Sequence, residues 1–319
     1  MIRPQDTRVS FTTKGGAYTD TGELIRLRHA AKEIPPLQIN RSQNPLSGML
    51  TSNFKGRGID FAEVRQYEPG DDVRTIDWRV TARTQEPHTK LFQEERERPV
   101  MFLVDQSGSM FFGSKLRFKS VLAAELAAVL AWSCLNHGDR VGGMVFNNTE
   151  HREVRPRRNK HSVLRLLYEV NDFNHRLSKD SARDQTRKLS DALLNIRRIA
   201  RHGYSVIIIS DFSQFDETSV LHLTQLARHN DVLGIMVSDP LEIHLPAPDL
   251  YTITNGAERV EINTAAKTHR EAYRNHHTAR LNEVNQAFAR VKSPLLNIST
   301  ADEVVPALIK AMTPKTRGR

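Results

Sequence analysis

Cysteine is almost absent from this 319-residue chain. The single residue, Cys134, excludes an internal disulfide framework. It sits in the apolar helical run LAAELAAVLAWSCLNHG and reads as a buried small hydrophobe in a reducing compartment. The opening stretch MIRPQDTRVSFTTKGG lacks the apolar core of a signal peptide. No stretch approaches the roughly 18 uninterrupted apolar residues of a membrane span, so a cytoplasmic protein without a membrane span is expected. A Gly-rich loop ending in Lys-Ser/Thr, which would cradle a nucleotide, is missing, and so is a nucleophile elbow for a Ser-His-Asp arrangement. Internal repeats and low-complexity tracts are missing as well.

What is present suffices for a substantial core: 39% of the residues are hydrophobic, and the length suits one large domain or two small ones. The formal charge is +9, and residues 150–202 carry +7 of it, 14 Lys/Arg against 7 Asp/Glu. Such a segment could attract nucleic acid, anionic lipid or an acidic protein, and it equally suits a solvated helical surface. Its core, HREVRPRRNKH (151–161), has no aromatic side chain on which a base could stack. Nucleic-acid binding through phosphate contacts, steeply salt-dependent, is therefore kept as the second functional reading.

Residues 1–46 read as a loosely organised N-terminal segment. It holds one amphipathic helix at 22–34 and a Pro/Asn/Ser-rich connector. Residues 47–98 form a second segment, and 99–319 a third. In the third, strands are expected at 99–105, 140–147, 204–211, 232–239 and 294–300, all apolar on both faces as parallel strands covered by helices are. Helices are expected at 115–137, 161–173, 189–202, 219–229, 264–291 and 301–312. This alternation predicts an α/β fold with an open, doubly wound, mostly parallel sheet. YTITNGAERVEIN, around Asn255-Gly256, predicts a β-hairpin inserted near 249–263 at the sheet's edge.

The first of these strands ends in MFLVDQSGSM (101–110). In a doubly wound sheet, ligands bind beyond the carboxyl ends of the strands where the topology switches direction. Asp105, Ser107 and Ser109 leave the strand there, and Asp211 occupies the matching place after VIIIS. If the two strands are neighbours, two carboxylates and two hydroxyls converge. Such a donor set suits a hard cation, Mg²⁺ with Mn²⁺ or Ca²⁺ as alternatives, and leaves a position open to an incoming carboxylate. Gly108 would allow a tight turn. Alternatively, Asp105 caps the following helix while the serines bond loop amides. An aspartyl phosphoryl-transfer enzyme would need an acid at position 107, which is Ser, so no enzymatic activity is expected.

Asp-x-Ser-x-Ser followed by a later strand-end Asp resembles the metal-ion-dependent adhesion site of von Willebrand factor A-type domains. The resemblance implies a Rossmann-like von Willebrand factor A sheet in which Asp105, Ser107, Ser109 and Asp211 hold the metal. The second-loop threonine of that pattern, counted back from Ala192-Leu193, lands on Arg187, with Thr186 one position away and Ser190 nearby.

Upstream, Glu68-Pro69-Gly70-Asp71 reads as a turn. Asp71 or Asp72 could cap a short helix through VRTIDWRVTAR, with Arg74 and Asp77 paired on one face. Phe61, Tyr67 and Trp78 could pack this segment on the sheet. The string Gly56, Gly58, Phe61, Arg65, Tyr67, Pro69, Gly70, Asp71, Asp72, Arg74, Ile76, Asp77, Trp78, Ala82 and Arg83, leading into the Asp-x-Ser-x-Ser, is similar to the bacterial family catalogued as domain of unknown function fifty-eight. VSDPLEIHLP (237–246) and LLNISTADE (295–303) extend the likeness to about residues 47–313. That family is von Willebrand factor A-like and generally encoded beside MoxR-type AAA+ ATPases. The resemblance implies a non-enzymatic, Mg²⁺-dependent adaptor acting with such an ATPase, or with its client, in protein maturation or remodelling. His269, His276 and His277, on the long helix expected at 264–291, read as surface residues.

Overall fold

The computed structural model of the chain describes residues 16–37, 59–68, 73, 76–94, 99–178, 181, 188–254 and 259–313. Two compact units emerge, Gln43–Glu97 and the combination of Met1–Ser42 with Arg98–Arg319.

The larger unit begins with helix α1 (Thr21–Arg26), whose first turn is capped by Asp20 accepting from the Glu23 amide. The single helix expected over 22–34 is divided: α1 stops at Arg26, and Ala30–Glu33 forms a 3-10 turn. Ile34, which precedes Pro35, is extended, as the proline ring demands of its predecessor. Leu24, Leu27, Ala31 and Ile34 are buried in the main core. The Thr19 amide donates to Asn174 Oδ1 at 2.8 Å, tying this segment to a later helix.

In the smaller unit, strands β1 (Ile59–Gln66) and β2 (His88–Glu94) pair antiparallel, with helix α2 (Trp78–Thr84) between them in the chain. Asp77 caps α2, accepting from the Arg79 and Val80 amides. The cap was expected at Asp71 or Asp72; these, with Pro69, Gly70 and Arg74, lie outside the described residues. Arg65 donates to the Gln66 carbonyl, the Tyr67 amide donates to the Pro87 carbonyl, and Arg83 is exposed. Trp78, expected to pack inward, is 69% exposed at the first position of α2.

The rest of the larger unit alternates strands and helices. In chain order these are β3 (Pro99–Asp105), α3 (Lys119–Asn136), β4 (Arg140–Phe146), β5 (His151–Arg157), α4 (Lys160–His175), α5 (Leu189–Ile199), β6 (Ser205–Ser210), α6 (Glu217–Ala227), β7 (Asp231–Ser238), α7 (Pro240–Ile243), β8 (Leu250–Thr254), β9 (Arg259–Asn263), α8 (Lys267–Arg290), β10 (Leu295–Ser299) and α9 (Val304–Met312). Six strands form one sheet in the order β10-β7-β6-β3-β4-β5, parallel except for β5.

Alternation along β3 builds both layers. Val100, Phe102 and Val104 join a core with α1, α3, α4 and α9, while Met101 and Leu103 face α5, α6 and α8. The chain leaves β3 for β4 on one side and returns to β6 on the other, so the switch of direction lies at β3. Helix α3 is the one described helix long and apolar enough to cross a membrane, and 89% of it is buried inside the fold. Cys134 lies buried on it, and burial, with the charge of Asp139, pushes its thiol pKa up.

Three further expectations are corrected. Strand β5 was read only as a basic segment, because an edge strand of Arg and Pro with just Val154 buried carries no apolar alternation. The hairpin β8–β9 forms its own two-stranded sheet; the larger sheet ends at β10 and β5. His277 is buried rather than superficial, with its pKa lowered chiefly by burial.

Strand β5 crosses closely over Gly142 of β4. A Cβ on Gly142 would stand 2.4 Å from the Val154 carbonyl oxygen and 2.5 Å from the Pro156 nitrogen. Both are backbone atoms that cannot rotate away. Gly142→Ala is therefore expected to displace β5 and destabilise the unit by about 1–3 kcal/mol, as overpacking does. Urea denaturation checks this; an unchanged midpoint would show that β5 is free to shift.

Candidate metal centre at the carboxyl edge of the sheet

Strands β3 and β6 are direct neighbours, in register from Val100↔Ser205 to Val104↔Ile209. Asp105 therefore ends one strand beside Ser210 at the end of the other, and the Ser210 hydroxyl donates to Asp105 Oδ2 at 2.6 Å. Each strand then makes the same turn. The Ser107 amide donates to Asp105 Oδ1 at 2.8 Å, and the Ser213 amide donates to Asp211 Oδ1 at 2.9 Å. Asp-x-Ser occurs twice, each aspartate folding its own loop back so that a serine hydroxyl faces the same space. Ser107 Oγ lies 3.2 Å from Ser109 Oγ, and the Ser213 hydroxyl donates to Ser109 Oγ at 3.0 Å.

The loops are held from behind. Gln106 donates its amide to the Phe146 carbonyl and its side chain to the Ser120 carbonyl, and it accepts from Asn174. Gly108 does not take the positive φ that a tight turn would use; it sits in a 3-10 turn, its amide held by Asn148 Oδ1 at 2.6 Å. Phe212, between Asp211 and Ser213, has φ +51°, a left-handed conformation uncommon for a bulky residue. Its ring is buried edge-on against Phe215 and Phe288. That packing holds the backbone in the strained turn that directs Asp211 and Ser213 inward.

Burial raises the Asp105 pKa to about 6, helped by the charge of Asp211 and opposed by hydrogen bonds from Ser107 and Ser210. Burial also acts upward on Asp211, but the Lys119 ammonium and the bonds from Lys119 and Ser213 outweigh it and bring the pKa to about 2. Lys119, at the start of α3 and 2% exposed, donates to Asp211 Oδ2 at 2.7 Å and to Glu242 Oε1 at 2.6 Å. Glu242 in turn accepts from the Asp239 amide, closing a capping box on α7. Asp239 is itself buried, accepting from Ser114, Leu241 and Thr300.

Asp105, Ser107, Ser109 and Asp211 thus come together, and Thr186 lies outside the described residues. Ser213, Ser210, Asn148, Lys119 and Glu242 were missed. Ser213 was legible as the second Asp-x-Ser; Lys119 could have been flagged as one of only two charges in the apolar α3. Among the described residues no three His, Cys, Asp or Glu side chains cluster as metal ligands. The donors are two carboxylates and three hydroxyls, all oxygen, and one carboxylate is buried without a cation of its own. That chemistry fits a hard divalent ion and not a soft one.

A family model described as "Protein of unknown function DUF58" matches residues 63–283. Proteins of Mycobacterium bovis and Mycobacterium tuberculosis, each described as uncharacterized, are 32% identical over 194 residues, covering 60% of this chain. The match spans 58% of the length of these curated relatives. Among solved structures, a conserved hypothetical protein BatB from Bacteroides thetaiotaomicron is 15% identical with a TM-score of 0.39, covering 67% of this chain and 97% of its own. An aerotolerance-related membrane protein from Bacteroides fragilis is 15% identical with a TM-score of 0.38, covering 67% and 98%.

Proposed function

The chain belongs to the family described as protein of unknown function DUF58, and we propose that it is a non-enzymatic interaction module of von Willebrand factor A type that binds a partner protein in a Mg²⁺-dependent way. The observation that carries this reading is the pair of Asp-x-Ser turns at the ends of adjacent parallel strands, with Ser107, Ser109 and Ser213 turned to one space. Asp105, Ser107, Ser109, Ser213 and Asp211 would hold the ion. A bound Mg²⁺ would supply a Lewis-acidic position to which a carboxylate of the partner attaches.

The chain's own residues do the remainder. Asp105 and Asp211 supply the charge, and Phe212 and Asn148 fix the loops. Beside the opening, the loop between Ser109 and α3 exposes Phe112 by 41% and Leu116 by 53%, apolar surface for the flanks of a docking carboxylate. A MoxR-type AAA+ ATPase or its client is the proposed partner. The basic segment 150–202 supports the nucleic-acid reading less well, because its elements are dispersed. Strand β5 lies on the sheet edge, while α4 and α5 pack on opposite faces. Arg165 and Arg176 are moreover paired with carboxylates.

The test uses the tagged chain as bait in lysate of its own organism, with Mg²⁺ or with chelator. A defined protein retained by wild type only in Mg²⁺, and lost by Asp105→Ala, is the expected result. Retention indifferent to chelator and to Asp105→Ala would overturn the metal-dependent mechanism. Nucleic acid retained by both forms and lost at high salt would move the function to the basic segment.

A further inference from the structure

We propose that Lys119 is the resident cation of this centre: its ammonium occupies the Asp211 side of the site and competes with a divalent ion for that carboxylate. The inference rests on the metal-centre reading above and adds the residue that sets the ion's affinity.

A lysine buried to this depth persists only when paired, since an isolated charge away from water is strongly disfavoured. Lys119 has two partners, Asp211 and Glu242, 123 residues away from it at the far one. It also lies 6.0 Å from the centroid of the Phe112 ring. Its Nζ stands 2.7 Å from Asp211 Oδ2 and 2.6 Å from Glu242 Oε1, the distances of a charge-assisted pair on both sides. Among the described residues Lys119 pairs with Asp211 and Glu242, while Asp105 is held by the Ser107 amide and the Ser210 hydroxyl.

A divalent ion bound among Asp105, Ser107, Ser109 and Ser213 meets this ammonium as a like charge across Asp211. Binding then requires either repulsion or a retreat of Lys119 onto Glu242 alone. Glu242, with its side chain held by the Asp239 amide at 3.0 Å, is the positioning residue that makes this retreat available. The arrangement keeps the ion weakly held until an additional negative charge, such as a partner's carboxylate, arrives.

Calorimetric titration with Mn²⁺ alone tests this on wild type, Lys119→Met, Lys119→Arg and Glu242→Gln. Lys119→Met should bind Mn²⁺ at least about tenfold more tightly than wild type, the order expected on removing a nearby like charge in a partly buried site. Lys119→Arg keeps the charge and should not. The metal-free thermal midpoint of Lys119→Met should fall below that of wild type and recover with Mn²⁺. Should Lys119→Met fail to fold, Glu242→Gln reads the same competition from the other side, since Lys119 left with Asp211 alone should weaken Mn²⁺ binding. Equal, measurable affinity in wild type and Lys119→Met would overturn the role of Lys119 and leave the metal centre standing. Tight binding by Lys119→Met with none by wild type would uphold it and remove the metal-dependence proposed for the native chain. Absence of binding in both folded proteins would overturn both.

Discussion

Asp105→Asn should make the metal-free protein more stable at neutral pH while abolishing its response to Mg²⁺. Asp105 is 3% exposed, and burial together with the charge of Asp211 raises its pKa from 3.8 to about 6. A carboxyl whose pKa is raised in the folded state stabilises the fold while protonated, that is, below its unfolded value. This contribution is lost as pH rises through the folded value. Between about pH 4 and pH 6 the native protein therefore loses stability that the asparagine variant retains. The full difference, about 1–3 kcal/mol after allowing for the altered Ser210 hydrogen bond, should be present at pH 7–8 and vanish below pH 4. Asp211 has the opposite sign. Its lowered pKa gives stability that is present above about 4 and lost as pH falls towards 2. Thermal midpoints from pH 3 to 8, with chelator and with Mg²⁺, give both readings. A metal-free Asp105→Asn less stable than wild type at pH 8 would mean that Asp105 is structurally satisfied and that no cation is needed beside it.

Arg117→Met should destabilise the larger unit by about 1.5–3 kcal/mol, because it removes a buried guanidinium that donates to a carboxylate and to two carbonyls. Arg117 lies in the loop before α3 and pairs with Glu125 in the second turn of that helix, both almost fully buried. The same guanidinium donates to the carbonyls of Thr300 and Asp302, between β10 and α9. The pair therefore joins the central helix to the C-terminal end of the fold, and its loss leaves two carbonyls and one carboxylate without these donors. Replacing both partners, Arg117→Met with Glu125→Leu, should recover part of the loss, since it removes the buried carboxylate along with its donor. Urea denaturation of the single and double variants separates the two effects. A single variant within about 0.5 kcal/mol of wild type, the range of an ordinary surface change, would show that Arg117 is not needed to hold Glu125 and the two carbonyls.

The same contrast decides what could be read from the chain alone. Strands β3, β4, β6 and β7 were legible because each is apolar on both faces, the requirement for a strand covered by helices on both sides, while β10, an edge strand with only Ile298 buried, was legible from its short apolar run. The hairpin was legible from two short alternating runs, although its separation from the main sheet was not. Strand β5 was hidden because its exposed edge calls for charge and proline rather than apolar alternation. The adjacency of Asp105 and Asp211 was conditional on a strand order that the sequence left open.

By itself, then, the sequence determined the alternating α/β architecture, the family likeness and the hydroxyl-rich loop at Asp105, because local periodicity and short-range turn chemistry are written in consecutive residues. Tertiary structure alone decided that a second Asp-x-Ser turn faces the first and that Lys119 stands between Asp211 and Glu242. These contacts span 92 and 123 residues and arise only when β6 and β7 take their places in the sheet. Charge can be counted along a chain, but which charges neutralise one another depends on distance in space.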